Sequence, residues 1–255
     1  MELWTPEHTR TLLPSLAVML LLAAMLRCWL LKKTHHIRMI PLKIIAVILV
    51  ILEIGKQGVS LYRGYDLYNL PFHFCSLFIF AMPALAFYNG KQRQKVYGVV
   101  SALCAALTLL MLIYPNLIYP AGSVVGYWND YMCFHTVTFH NLVMLAFFLL
   151  PALNIQEQTP KGAARRIVLV VSVFCAVSAT MAHLLKTNYA NFYHCNVPVF
   201  EQIRQNMLAA IGTVPTQLIY VTILTALNIL FVLGAYWFYR ALRRLLAVKH
   251  AVASN

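Results

Sequence analysis

Seven stretches of this chain are apolar for long enough to cross a bilayer, and the basic residues gather in the gaps on one side of them. A spanning helix needs about 20 mostly apolar residues. The stretches fall at Leu12–Leu31, Ile40–Tyr62, Leu70–Tyr88, Val96–Tyr114, Met132–Leu153, Ile167–Lys186 and Thr216–Tyr239. Only 11% of the 255 residues are charged and 61% are apolar. A soluble domain carries roughly 25% charged residues, so the sequence predicts an all-α bundle of seven transmembrane helices, one domain over residues 1–255.

Charge then orients the bundle. Connections 32–43, 89–95, 154–166 and the tail 240–255 hold 4, 3, 3 and 4 Lys and Arg, fourteen of the chain's 20. The opposite connections hold Arg10, Arg63 and Arg204, with Lys56 and Lys186 near helix ends. Basic residues are retained on the cytoplasmic side, so the expectation is a multi-pass protein of the cell membrane, N-terminus outside and C-terminus cytoplasmic. The same asymmetry explains the net charge of +13 without nucleic acid. The tail Arg240-Ala241-Leu242-Arg243-Arg244 reads as a topology signal beside anionic lipid. The first apolar run lacks a basic leader and a small-residue cleavage site, so it reads as a retained helix.

Six cysteines are scattered without a CxxC pair, which implies neither a disulfide framework nor a metal knuckle. Cys133 and Cys195 both fall on the outer side, where an oxidising compartment would let them pair. No cofactor or metal is expected. The partners expected are membrane lipids.

Orientation converts sequence position into depth. Glu53 and Lys56 end the second span; His73, Cys75 and Ser76 begin the third; His135, Thr136 and His140 begin the fifth; His183 and Lys186 end the sixth. All share the outer half. Ionisable groups inside a membrane are costly and face the protein interior or an aqueous cavity, so an outward-opening pocket is expected. Helical spacing puts Glu53, Lys56, Gln57 and Ser60 on one stripe, where Glu53 and Lys56 can pair. If Pro71 opens the third helix, a position where its missing N–H is harmless, then Asn69, His73 and Ser76 share a face. Cys75 then points about 200° from His73, toward apolar neighbours, and His135 about 140° from His140. The outer connections 115–131 and 187–215 are rich in Tyr, Asn, Pro and Gly and suit the membrane interface; Asn188 and Tyr189 would line a lid or anchor it.

Asn69-Leu70-Pro71-Phe72-His73-Phe74-Cys75 resembles the leucine-proline-x-histidine-x-cysteine motif of the YwaF family of bacterial multi-spanning membrane proteins. Phe139-His140-Asn141-Leu142-Val143 is similar to that family's second histidine helix, and Lys186-Thr187-Asn188-Tyr189 to its threonine-asparagine-tyrosine motif. The resemblance runs from the second span to the seventh. It implies a polytopic fold and, through an animal relative that remodels phospholipids with a cysteine and a histidine, lipid acyl chemistry. In that relative the cysteine directly precedes the first histidine; Phe72 stands there in this chain. Bacterial members often have an acidic residue where Ser76 follows Cys75. His73 and His140 carry over; the nucleophile does not.

Taken with the polar layer, the resemblance implies a membrane-embedded lipid acyltransferase or hydrolase. His140 and His73 are its expected base and orienting group. Cys75 or Ser76 is the candidate nucleophile, and Glu53, Lys56, Asn69, Thr136, Asn188 and Tyr189 line the site. The alternatives are a carrier or binding protein for a small molecule, with the same polar groups as substrate or proton ligands, and a protein whose polar layer only packs helices. The carrier reading is weakened by the absence of an internal repeat.

Overall fold

A computed structural model describes residues 3–155 and 161–253, with the side chains of 246–253 not described. Among the described residues there are helices and no strands. The long helices are α1 (Pro6–Leu30), α3 (Ile40–Tyr62), α5 (Arg93–Ile113), α8 (Tyr131–Ala152), α9 (Ala163–Leu184) and α11 (Thr213–Ala253). The shorter ones are α2 (His35–Arg38), α4 (Leu77–Phe87), α6 (Pro115–Ile118), α7 (Ala121–Val125) and α10 (Pro198–Ile211). Among the described residues five helices are long and apolar enough to cross a membrane: α1, α5, α8, α9 and α11 as far as Leu245. Helix α3 has 23 residues, about 35 Å at 1.5 Å per residue, and carries Lys43, Glu53 and Lys56. The remaining expected span is shorter, an apolar helical run over Phe74–Phe87.

That third stretch departs from the expectation of a helix opening at Pro71. Leu70 and His73 are extended (ψ 148° and 153°), Phe74–Ser76 is a 3-10 turn, and α4 starts only at Leu77. A residue before proline is pushed out of the helical region, which accounts for Leu70. Neighbouring elements then bond carbonyls in this stretch and just before it. Gln57 donates to Asn69 O at 2.8 Å, Ser178 to Phe72 O at 2.9 Å, and Tyr189 Oη–H to Leu67 O. Irregular backbone at membrane depth is tolerated where protein supplies such partners. The helical phases assigned to Asn69, His73, Cys75 and Ser76 therefore do not hold.

Helix α5 is central and packs against α11, α8, α4 and α9. Its run Ser101-Ala102-Leu103-Cys104-Ala105-Ala106 is buried, and small side chains let neighbouring backbones approach closely. Helix ends are closed by specific contacts. Tyr65 N–H bonds Ser60 O, Ile155 N–H bonds Leu150 O, and Thr187 N–H bonds Ala182 O. Each closure needs the intervening residue, Gly64, Asn154 or Lys186, in the left-handed region. The last carbonyls of α8 also receive two guanidinium groups. Arg27 bonds Ala152 O at 2.8 Å; Arg38 bonds Leu153 O at 2.9 Å and Asn154 O at 3.0 Å. Cations there satisfy orphan carbonyls and complement the helix dipole.

Candidate functional site

The polar layer centres on Glu53, which is 8% exposed. Its Oε1 receives Lys56 Nζ and Gln57 Nε2, both at 2.7 Å, and its Oε2 lies 3.3 Å from His135 Nε2. The contact with His135 is a close approach without an aligned hydrogen bond. A buried carboxylate needs partners of this kind on every side. The network extends outward. Tyr65 donates to Gln57 Oε1 at 2.8 Å, and Asn69 Nδ2 donates to Ser60 Oγ at 3.0 Å. Spacing along α3 creates this stripe, and Gly55 lets α8 approach it. Tyr131 lies against Gly55, where a methyl group would have to displace its hydroxyl end, and donates to Leu52 O at 3.1 Å.

His73 lies on the extended stretch and His140 on α8, while the ammonium group of Lys56 is bound to Glu53. Neither imidazole is hydrogen-bonded to the other among the described residues; each bonds a backbone carbonyl. His140 Nδ1 is 2.6 Å from Thr136 O, and His73 Nε2 is 3.0 Å from Tyr68 O. A carbonyl can only accept, so those nitrogens carry the protons. His140 Nε2 and His73 Nδ1 are left with bare lone pairs, the form a general base requires. The tautomer of His140 is set by its own helix, through the carbonyl of Thr136, and not by His73 as a base–orienter pair would need. His183 is fixed the same way through Ala179 O at 2.8 Å, and its Nε2 is buried without a partner among the described residues.

Tyr189 is fully buried and stands edge-on to both Phe72 and His73, with ring centroids 5.2 and 5.5 Å apart. Asn188 organises the loop behind it. Its Oδ1 accepts from the backbone of Tyr193 and His194, and its Nδ2 donates to Asn191 and Asn196. Thr136 contributes a carbonyl, while its hydroxyl is spent on Met132 O at 2.8 Å. Asn69 Nδ2 is spent on Ser60. Ser76 is 3% exposed and lines an apolar groove of about 610 Å³ between the stretch from Pro71 to Phe80 and the face of α9 from Leu169 to Val177. All six cysteines are free, so Cys133 and Cys195 do not pair. Among the described residues no three His, Cys, Asp or Glu side chains gather as a metal-ligand set.

His135 is the residue that sequence reasoning left out of the site. Judged by its angle from His140 it looked misdirected, yet it meets Glu53 on the facing helix. Its depth, equal to that of Glu53, was the available signal.

A helical chain with five helices fit to cross a bilayer, and charged groups buried between others, is a polytopic membrane protein. The chain belongs to the TMEM164 family, whose model matches residues 3–239. Neither a curated protein nor a solved structure shows a match to it.

Proposed function

We propose that this protein is a membrane-embedded enzyme of lipid acyl chemistry, an acyltransferase or hydrolase, within a single bundle of seven spans with its N-terminus outside the cell membrane. The observation that carries this reading is the juxtaposition at Ser76. That short stretch lines an apolar groove of about 610 Å³ through Pro71, Phe72 and Ser76, and it also carries His73 and Cys75, which do not line the groove. Small-molecule sites are concave, mostly apolar and provided with a few polar groups, in volumes of roughly 300–1,000 Å³. An acyl chain lying in the groove would bring its carbonyl to the end where the polar side chains begin. The resemblance of three short motifs to the YwaF family, and through it to an animal acyltransferase, supports the same chemistry.

In this mechanism His140 Nε2, bare because Nδ1–H is bound to Thr136 O, takes the proton from the attacking hydroxyl or thiol and passes it to the lipid's glycerol oxygen, which leaves as its ester bond to the acyl carbon breaks. Ser76 is the nucleophile that lines the groove, and Cys75 is its competitor. Lys56, held by Glu53, supplies positive charge where an oxyanion develops. Loss of a general base costs typically 10²–10⁴-fold in rate.

The test is purified protein in vesicles with a panel of phospholipids and acyl donors. Wild-type protein should change the acyl composition, and His140→Ala should fold but lose turnover by that factor. Ser76→Ala and Cys75→Ser, assayed apart, identify the acyl carrier. If every lipid stays unchanged while a solute is bound or moved in a manner that depends on His140, the protein is a carrier and Glu53, Lys56 and His135 are its ligands.

A further inference from the structure

Helix α10 presents three different faces. Arg204 is 7% exposed and points into the protein, with its guanidinium over the Tyr220 ring of α11 at 5.9 Å. Gln202, Gln205 and Asn206 form a second, exposed polar face. Val199, Ile203 and Met207 follow one another at helical spacing, flanked by Phe200 and Ile211. This apolar face is open: Val199 is 68% exposed, Phe200 58% and Ile203 51%.

The helix has 14 residues, too few to span a bilayer, which takes about 20. It is joined to α11 by Gly212 alone, whose φ of +80° makes the sharp turn. Helix α11 begins at Thr213 and is fit to cross a membrane from there. The turn at Gly212 therefore holds α10 beside the first turns of α11, where Arg204 meets Tyr220. Exposed to water, the apolar face of α10 would forfeit the hydrophobic stabilisation that burial brings; in the zone between headgroups and acyl chains it is buried.

We propose that α10 is an in-plane interfacial helix. Its partner is the phospholipid of the leaflet where α11 starts, with Val199, Phe200, Ile203 and Met207 facing the acyl chains. Its only charged residues, Glu201 and Arg204, are bound to each other at 2.6 and 2.8 Å. Binding thus depends on apolar burial and not on anionic headgroups, unlike the basic helices that select acidic membranes. This inference does not depend on the proposed enzymatic activity.

The test uses the full chain in phosphatidylcholine vesicles, with a photo-crosslinking phenylalanine analogue at Ile203 or at Gln205. Ile203 should yield several-fold more lipid adduct than Gln205, and phosphatidylglycerol should not change the ratio. Equal adducts at both positions, or adducts at Ile203 to a protein chain in place of lipid, overturn the proposal. A water-soluble carbene reagent applied to the unmodified chain gives an independent measure. It should label Gln202 and Gln205 and spare Val199 and Ile203; labelling of both faces alike overturns the proposal.

Discussion

His135 Nε2 lies 3.3 Å from Glu53 Oε2, and this contact ties α8 to the charged stripe of α3. Lys56 completes the group from the other side at 2.7 Å. Removing one member of a buried ion pair leaves an uncompensated charge and costs about 3–5 kcal/mol, while replacing the whole set by apolar groups can be neutral. Glu53→Ala should therefore lower stability by about that much. The double change Glu53→Leu with Lys56→Met should recover most of it. Thermal unfolding in detergent measures both. A double variant no more stable than the single one would show that the charges do not act as a unit.

Tyr131 packs directly on Gly55, so any side chain at 55 must displace it. Overpacking of this kind costs typically about 1–3 kcal/mol. Gly55→Ala should be less stable by that amount and should separate α8 from α3, loosening the approach of His135 to Glu53. Gly58→Ala is the control. Nothing stands where its methyl would go, and the helix gains from losing a glycine. Unfolding curves that rank the two variants the other way contradict the packing described.

Glu201 lies outside the spans. The Arg204 guanidinium bound to it lowers its pKa from 4.5 to about 2. It also accepts from Cys195 N–H at 2.8 Å and from Gln205 at 2.6 Å. A group whose pKa is lower in the folded state adds stability that is fully present above its unfolded pKa and is lost as pH falls toward the folded value. The loop from Cys195 into α10 should therefore hold at pH 5 and loosen between about pH 4.5 and pH 2. Protection of the Cys195 amide, its exchange relative to the unfolded rate at the same pH, should fall as pH drops across that range in the wild type. In Glu201→Gln protection should already be low at pH 5 and change little.

The long apolar runs and the Glu53–Lys56 spacing could be read from the sequence, because they follow from composition and local periodicity. The stretch Leu70–Ser76 could not. Its conformation is decided by Gln57, Ser178 and Tyr189, which lie 12, 106 and 122 residues from the carbonyls they bond. Phase arguments fail where the helix they assume is not formed. The same limit hid His135: the angle between two side chains of α8 says nothing about what α3 places opposite either of them. Thr136 entered the expected site as a side chain, yet it acts through its carbonyl, a group every residue possesses and no composition reveals.

The donors that hold Leu70–Ser76 open can be removed singly. Ser178 is 0% exposed and its hydroxyl is bound to Phe72 O, on the wall of the apolar groove. A buried carbonyl left without a donor costs about 1–3 kcal/mol. Ser178→Ala should lose that much, with faster amide exchange concentrated in residues 72–76. Thr180 is the matched control. It lies two positions along α9, is exposed, and bonds Ala176 O within its own helix at 2.8 Å. Thr180→Ala should stay within about 0.5 kcal/mol of wild type. If the two variants have equal stability and the exchange of residues 72–76 is unchanged, the bond from Ser178 does not hold this stretch out of the helix. The shape of the groove beside Ser76 would then have to come from Pro71 alone.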